Sequence, residues 1–231
     1  MMKDSLTELV FILDKSGSMS PLADDTIGGF NSMLEKQRDE KGEAFVSTVL
    51  FDSDSHVLHD RIPIGTVPAM TKKDYTPYGS TALIDAIGGA IHHIGNIHKY
   101  IRPEDVPAHT LFIIITDGME NASHQYSSDT VKKMISSRTE EGWEFLFLGA
   151  NIDAVETAQS IGIRKDRSVD YLNDKAGTVL NYEVLSKSVS SMRTTGHINA
   201  DWSAPIQKDY QKRSSDNKKG SLFGRTKKGR S

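Results

Sequence analysis

The sequence predicts an α/β protein built on a mostly parallel sheet with helices on both faces. Strand-like apolar runs alternate with helical periods along most of the chain, the pattern of repeated strand-helix-strand units. Thr110 to Ile115 (TLFIII) is almost continuously apolar, as a strand buried on both faces of a parallel sheet must be. One strand-to-strand connection, Asp52 to His56, is too short for a crossover, so a single antiparallel return is expected there.

The elements follow in order. Leu6 to Leu13 and Phe45 to Phe51 read as strands, separated by a helix with the apolar stripe Ile27, Phe30 and Leu34. Val57 to Ile64 is the hairpin partner of the second strand. The strongest helical signal covers about residues 81–101, where Leu83, Ile87, Ala90, Ile91, Ile94, Ile97 and Ile101 recur at three- and four-residue spacing. TLFIII is the central strand. A helix near 129–141 (Val131, Met134, Ile135) leads to the strand Glu144 to Leu148. Asp153 is placed to cap a short helix carrying Val155, Ala158 and Ile161. A weak strand at Ser168 to Tyr171 and a helix from about Asp174 to Arg193 complete the pattern.

After Thr195 the periodicity fails, and Lys, Arg, Ser and Gly dominate. The expected organisation is one domain over 1–195 and a basic, flexible tail over 196–231, with Trp202 and the pair Leu222-Phe223 as possible docking anchors. Residues 206–231 hold nine Lys/Arg and two acids, a net +7, against −10 for residues 1–205. The acidic body and basic tail therefore face different partners.

Of the 231 residues 37% are apolar, no apolar run exceeds five, and cysteine is absent. These features fit a soluble protein with a real core and exclude disulfides, thiolate metal sites and cysteine nucleophiles. A reducing compartment suits the cysteine-free composition, and Met1 to Ser5 contains no apolar signal region. A cytoplasmic location is expected.

In open α/β sheets, ligands bind at the carboxyl ends of strands where the strand order reverses. The first strand ends in Asp14-Lys15-Ser16-Gly17-Ser18, TLFIII ends in Thr116-Asp117-Gly118, and Gly79-Ser80-Thr81 precedes the long helix. If the two strands are neighbours, these loops bring two carboxylates and three or four hydroxyls together. Such hard oxygen donors suit Mg²⁺, with Mn²⁺ as the alternative. Two carboxylates balance the ion's charge, and an open octahedral position could take a partner's carboxylate.

With those residues in place, the sequence resembles a von Willebrand factor type A (vWA) domain of the bacterial or phage type. That family's metal-ion-dependent adhesion site (MIDAS) is D-x-S-x-S, then a Thr, then an Asp. Asp14, Ser16, Ser18, Thr81 and Asp117 match each position. The phrases DTIGGFNSMLEKQ, GSTALIDAIGGAI and ITDGMENAS extend the likeness over about residues 6–195. The resemblance implies a Rossmann-like fold with a six-stranded, mostly parallel sheet and one antiparallel edge strand. It also implies that these five residues hold Mg²⁺ and that a partner's Glu or Asp completes the shell.

Other features have simpler readings. His92, His93 and His98 lack the i, i+4 spacing of paired ligands on one helical face and read as solvated or flanking residues. Asp52-Ser53-Asp54 reads as a turn. Thr81 or Ser80 could cap the long helix, while Glu120 and Asn121 read as loop-ordering. Gly28-Gly29 points to close approach of the first helix to the sheet or the metal loops.

The expected function is a non-catalytic, metal-dependent protein-binding module acting as an adhesion or scaffold factor. The alternatives are a nucleic-acid-associated accessory factor using the basic tail and a Mg²⁺-dependent phosphohydrolase. The strand ending ILDKSGS looks superficially like an aspartate-nucleophile phosphatase, but position 16 is Ser where a second Asp would act as acid and base.

Overall fold

The computed structural model describes residues 6–225, with side chains as far as residue 215. Six strands form one sheet: β1 (Thr7–Asp14), β2 (Ala44–Phe51), β3 (Ser55–Pro63), β4 (His109–Thr116), β5 (Glu144–Gly149) and β6 (Ser168–Asp170). Their order is β3-β2-β1-β4-β5-β6, all parallel except that β3 runs antiparallel to β2 at the edge. The order reverses between β1 and β4, the place where the two sequence runs were expected to meet.

Alternate side chains of each strand enter separate cores, as a period of two requires. Leu9, Phe11 and Leu13 of β1, with Ile113 of β4, pack against α1 (Ala23–Arg38) and α5 (Lys175–Thr195). Val10 and Ile12, with Phe112 and Ile114, pack against α2 (Leu83–Tyr100), α3 (Ser128–Glu140) and α4 (Ala154–Ser160). Glu8 of β1 is charged and fully buried, and Arg61 Nε donates to its Oε2 at 2.8 Å. His98 Nε2 lies 3.4 Å from the same oxygen, its ring edge-on to Trp143. It is therefore a packed residue rather than a solvated one.

The Asp153 side chain caps α4 by accepting from Glu156 N at 2.8 Å. Helix α2 differs from expectation, because its N-cap is Ala82 and neither Ser80 nor Thr81 caps it. Its free N–H groups at Ile84 and Asp85 donate instead to Glu120 Oε2 and Ser123 Oγ. Gly29 also differs: a Cβ there would come within 2.3 Å of the Tyr182 ring, so the close approach is of α1 to α5, away from the sheet and the loops.

Packed structure does not stop at Thr195. Gly196 ends α5 in the left-handed conformation at φ 70°, and Ile198, Trp202 and Ile206 are all buried against the α5 side of the sheet. Trp202 Nε1 donates to Asp166 O at 2.8 Å. A sixth helix, α6 (Ala204–Arg225), follows. The segment expected as tail therefore contributes three buried apolar residues to the body, spaced four apart, of which only Ile206 lies in α6. Residues 226–231 and the side chains of Leu222 and Phe223 lie outside the described residues. Among the described residues, no helix is long and apolar enough to cross a membrane.

Candidate metal centre

The pairing register aligns Leu13 of β1 with Ile115 of β4. Asp14 ends the first strand, and Asp117 lies just beyond the end of the second. Asp14 Oδ1 accepts from Ser16 N at 2.7 Å and Oδ2 from Thr116 Oγ1 at 2.6 Å. Ser16 Oγ and Ser18 Oγ are 3.1 Å apart, and Ser18 Oγ donates to Asp117 Oδ1 at 2.6 Å. Asn173 Nδ2 donates to Asp117 Oδ2 at 2.7 Å from the loop after β6.

Thr81 approaches from the third loop. A Cβ on Gly118 would lie 3.3 Å from Thr81 Oγ1, so the small residue after Asp117 lets the two loops close on each other. Thr81 N donates to Asn121 Oδ1 at 2.9 Å, and Asn121 N returns a bond to Thr81 O at 3.1 Å. Gly17 N to Gly79 O at 3.2 Å and Tyr78 N to Lys15 O at 2.9 Å bind the first loop to the second. The Asp52-Ser53 turn braces both: Asp52 pairs with Lys15, and Ser53 Oγ accepts from Ser80 N at 3.0 Å.

The structure thus gathers Asp14, Ser16, Ser18 and Asp117 directly and brings Thr81 against the Asp117 loop. Both aspartates are buried, at 1% and 2% exposure. Burial pushes the Asp14 pKa above its usual value despite hydrogen bonds from Thr116 and Ser16, and nearby Asp117 adds to the rise. A buried pair of carboxylates in this position is costly without a compensating cation. Among the described residues, no three His, Cys, Asp or Glu side chains group as a metal site. What surrounds the two acids is hydroxyls, the donor set a small hard cation accepts.

Beneath the loops lie Tyr75 and Tyr171. Tyr75 Oη donates to Asp14 O and Tyr171 Oη to Thr116 O, the latter at 3.4 Å. Burial raises both phenol pKa values well above the usual range, so each hydroxyl keeps its proton and its donor role. These tyrosines, Thr116 and Asn173 were not among the expected site residues. Thr116 adjoins Asp117 in sequence, whereas Tyr75, Tyr171 and Asn173 reach the site only through the fold.

No protein-family model matches the sequence, and no curated protein does. Solved structures do. The vWF domain of the type V pili tip protein Mfa5 from Porphyromonas gingivalis aligns at TM-score 0.63 and 9% identity, over 84% of this chain and 98% of that one. Manganese-loaded TRAP protein of Plasmodium vivax aligns at TM-score 0.53 and 18% identity, over 77% and 72%. Proximal thread matrix protein 1 from the mussel byssus, in a form with a zinc-occupied MIDAS motif, aligns at TM-score 0.57 and 16% identity, over 82% and 47%. This chain spans about half the length of that last protein. The likenesses identify a Rossmann-like α/β fold of the vWA type.

Proposed function

We propose that the chain is a non-catalytic, Mg²⁺-dependent protein-binding module that takes a partner's Glu or Asp as the last ligand of an ion held by Asp14, Ser16, Ser18, Thr81 and Asp117. The observation that carries this reading is the set of contacts Ser16 to Ser18 to Asp117 beside buried Asp14. Two carboxylates and two hydroxyls close together at the sheet's switch point support a cation there. The manganese and zinc named for two of the similar structures support a divalent cation; the all-oxygen donor set favours Mg²⁺ or Mn²⁺ for this chain. The cysteine-free composition favours a cytoplasmic setting.

Calorimetry and thermal unfolding with Mg²⁺ or Mn²⁺ test the metal. At one hundred times the dissociation constant, linkage adds about 2.7 kcal/mol of stability. Asp14→Asn and Asp117→Asn keep hydrogen-bonding groups while deleting charge, so both variants fold and lose the metal-dependent rise. Capture of a partner that disappears in EDTA tests the second half of the reading. No thermal or calorimetric response at about millimolar Mg²⁺ or Mn²⁺ overturns it.

A further inference from the structure

Two large apolar side chains stand in solvent beside the candidate metal site, Tyr78 at 78% exposure and Met119 at 72%. Among the described residues only Tyr100, at the other end of α2, is comparably exposed. Both backbones are fixed. Tyr78 N is bonded to Lys15 O, between the two ligand positions Asp14 and Ser16, and Gly79 O holds Gly17 N. Met119 follows Gly118, and Asn121 ties its loop to Thr81 O. An exposed aromatic ring on the second loop and an exposed thioether on the third are therefore carried on loops that are tied to the backbone of the expected ligand segments.

Exposed Tyr and Met beside a polar centre are the residue types that protein interfaces bury. The charge around them narrows the partner. Lys15, the cation nearest the ligands in sequence, is already paired with Asp52, and residues 1–205 carry −10. A run of acids would be repelled by the body everywhere except at the ion. We infer that, given the metal reading, the surface takes a protein segment with a single Asp or Glu flanked by apolar side chains, which Tyr78 and Met119 cover while the carboxylate meets the metal.

The test is an NMR titration of the full chain in Mg²⁺ with three capped tripeptide amides: Leu-Asp-Leu, Gly-Asp-Gly and Asp-Asp-Asp. Leu-Asp-Leu is expected to bind about tenfold more tightly than Gly-Asp-Gly. Tyr78→Ser and Met119→Ser should each remove several-fold of that preference while leaving Mg²⁺ affinity and Gly-Asp-Gly binding unchanged, and Tyr100→Ser should change nothing. Equal binding of the first two probes, or the same preference in all variants, overturns the inference and leaves the metal reading standing. Tightest binding by Asp-Asp-Asp overturns it in favour of the basic C-terminal segment. Absence of Mg²⁺ binding removes the metal reading and this inference together.

Discussion

Asn173 donates its side-chain amide to Asp117 Oδ2 at 2.7 Å, while Ser18 holds the other oxygen of the same carboxylate. A fourth loop, from the far half of the sheet, thereby fixes the orientation of a residue proposed to act on the ion. The next residue, Asp174, caps α5 through Gly177 N at 2.8 Å and is ion-paired with Arg213 of α6. The last helix is thus joined to the loops of the candidate site through two consecutive side chains.

Asn173→Ala frees one oxygen of Asp117 and should weaken Mg²⁺ binding about tenfold, the scale seen when a partner of a metal ligand is lost. Stability without metal should fall by about 1–3 kcal/mol, the cost of leaving a buried acceptor without its donor. Calorimetry on the folded variant reads this directly, and unchanged affinity would show that Asp117 is oriented without Asn173.

Adjacent glycines in α1 should respond in opposite directions. Gly28 has open space where a Cβ would go, so Gly28→Ala should stabilise by up to about 1 kcal/mol through helix propensity. At Gly29 the same methyl meets the Tyr182 ring, and overpacking should cost about 1–3 kcal/mol. Denaturant unfolding of the two variants compares them. Equal effects would mean that α1 and α5 do not pack as described.

The C-terminal segment separates into a structural and a dispensable part. Trp202→Ala should cost about 3–5 kcal/mol, as for other large core truncations. Ending the chain after Thr195 removes Ile198, Trp202 and Ile206 together and should abolish cooperative unfolding. Ending it after Ser214 keeps these residues and the Arg213 to Asp174 pair, so folding and Mg²⁺ affinity should survive. A stable product ending at Thr195 would refute this division.

His59 should give the protein an acid sensitivity. Its ring is buried, stacked on Phe30 at 6.3 Å, with Nδ1 3.0 Å from Thr48 Oγ1. Burial holds its pKa below 6.5, against the opposing pull of the Pro68 carbonyl and Asp74. The unfolded chain then binds more protons at this ring than the folded protein does. Its contribution to stability is full above 6.5 and is lost as pH falls through the depressed folded pKa. His59→Gln should flatten the decline in unfolding free energy between about pH 7 and about pH 5. His109, whose pKa burial also lowers, remains in both proteins, so the difference isolates His59. Identical pH profiles would remove the assignment.

Much of this architecture is legible in the sequence because the signals are local. The apolar run at Thr110 to Ile115 and the spacing from Leu83 to Ile97 mark a central strand and its covering helix, found as β4 and α2. Asp14, Ser16, Ser18 and Asp117 are legible as a group because strand ends collect at one edge of a parallel sheet. What stays hidden depends on distant partners. Nothing near Asn173, Tyr75 or Tyr171 in sequence announces a neighbour in β1 or β4. The helix-capping role of Glu120 and Ser123 depends on α2, whose first turn lies more than thirty positions earlier. Ile198, Trp202 and Ile206 are spaced four apart, but the first two lie ahead of α6 in a loop and turn, so no helical period surrounds them in the sequence.

The in-register pairing of Leu13 with Ile115 sets the scale of the candidate site. Neighbouring strands lie about 4.8 Å apart because their backbone hydrogen bonds have one length, and Asp14 and Asp117 follow the paired residues Leu13 and Ile115 by one and two positions. The sheet sets that spacing, and the segments beyond the strands carry Ser16, Ser18, Thr81 and Asp117 above it. An insertion between Tyr78 and Ser80 or after Met119 would reshape the surface around the candidate site while the gauge set by the pairing of β1 with β4 stayed the same. A bulge inside β1 or β4 would alter the gauge itself. Under the proposed function, the surface that would meet a partner and the strand spacing beneath the site are therefore set by different parts of the chain.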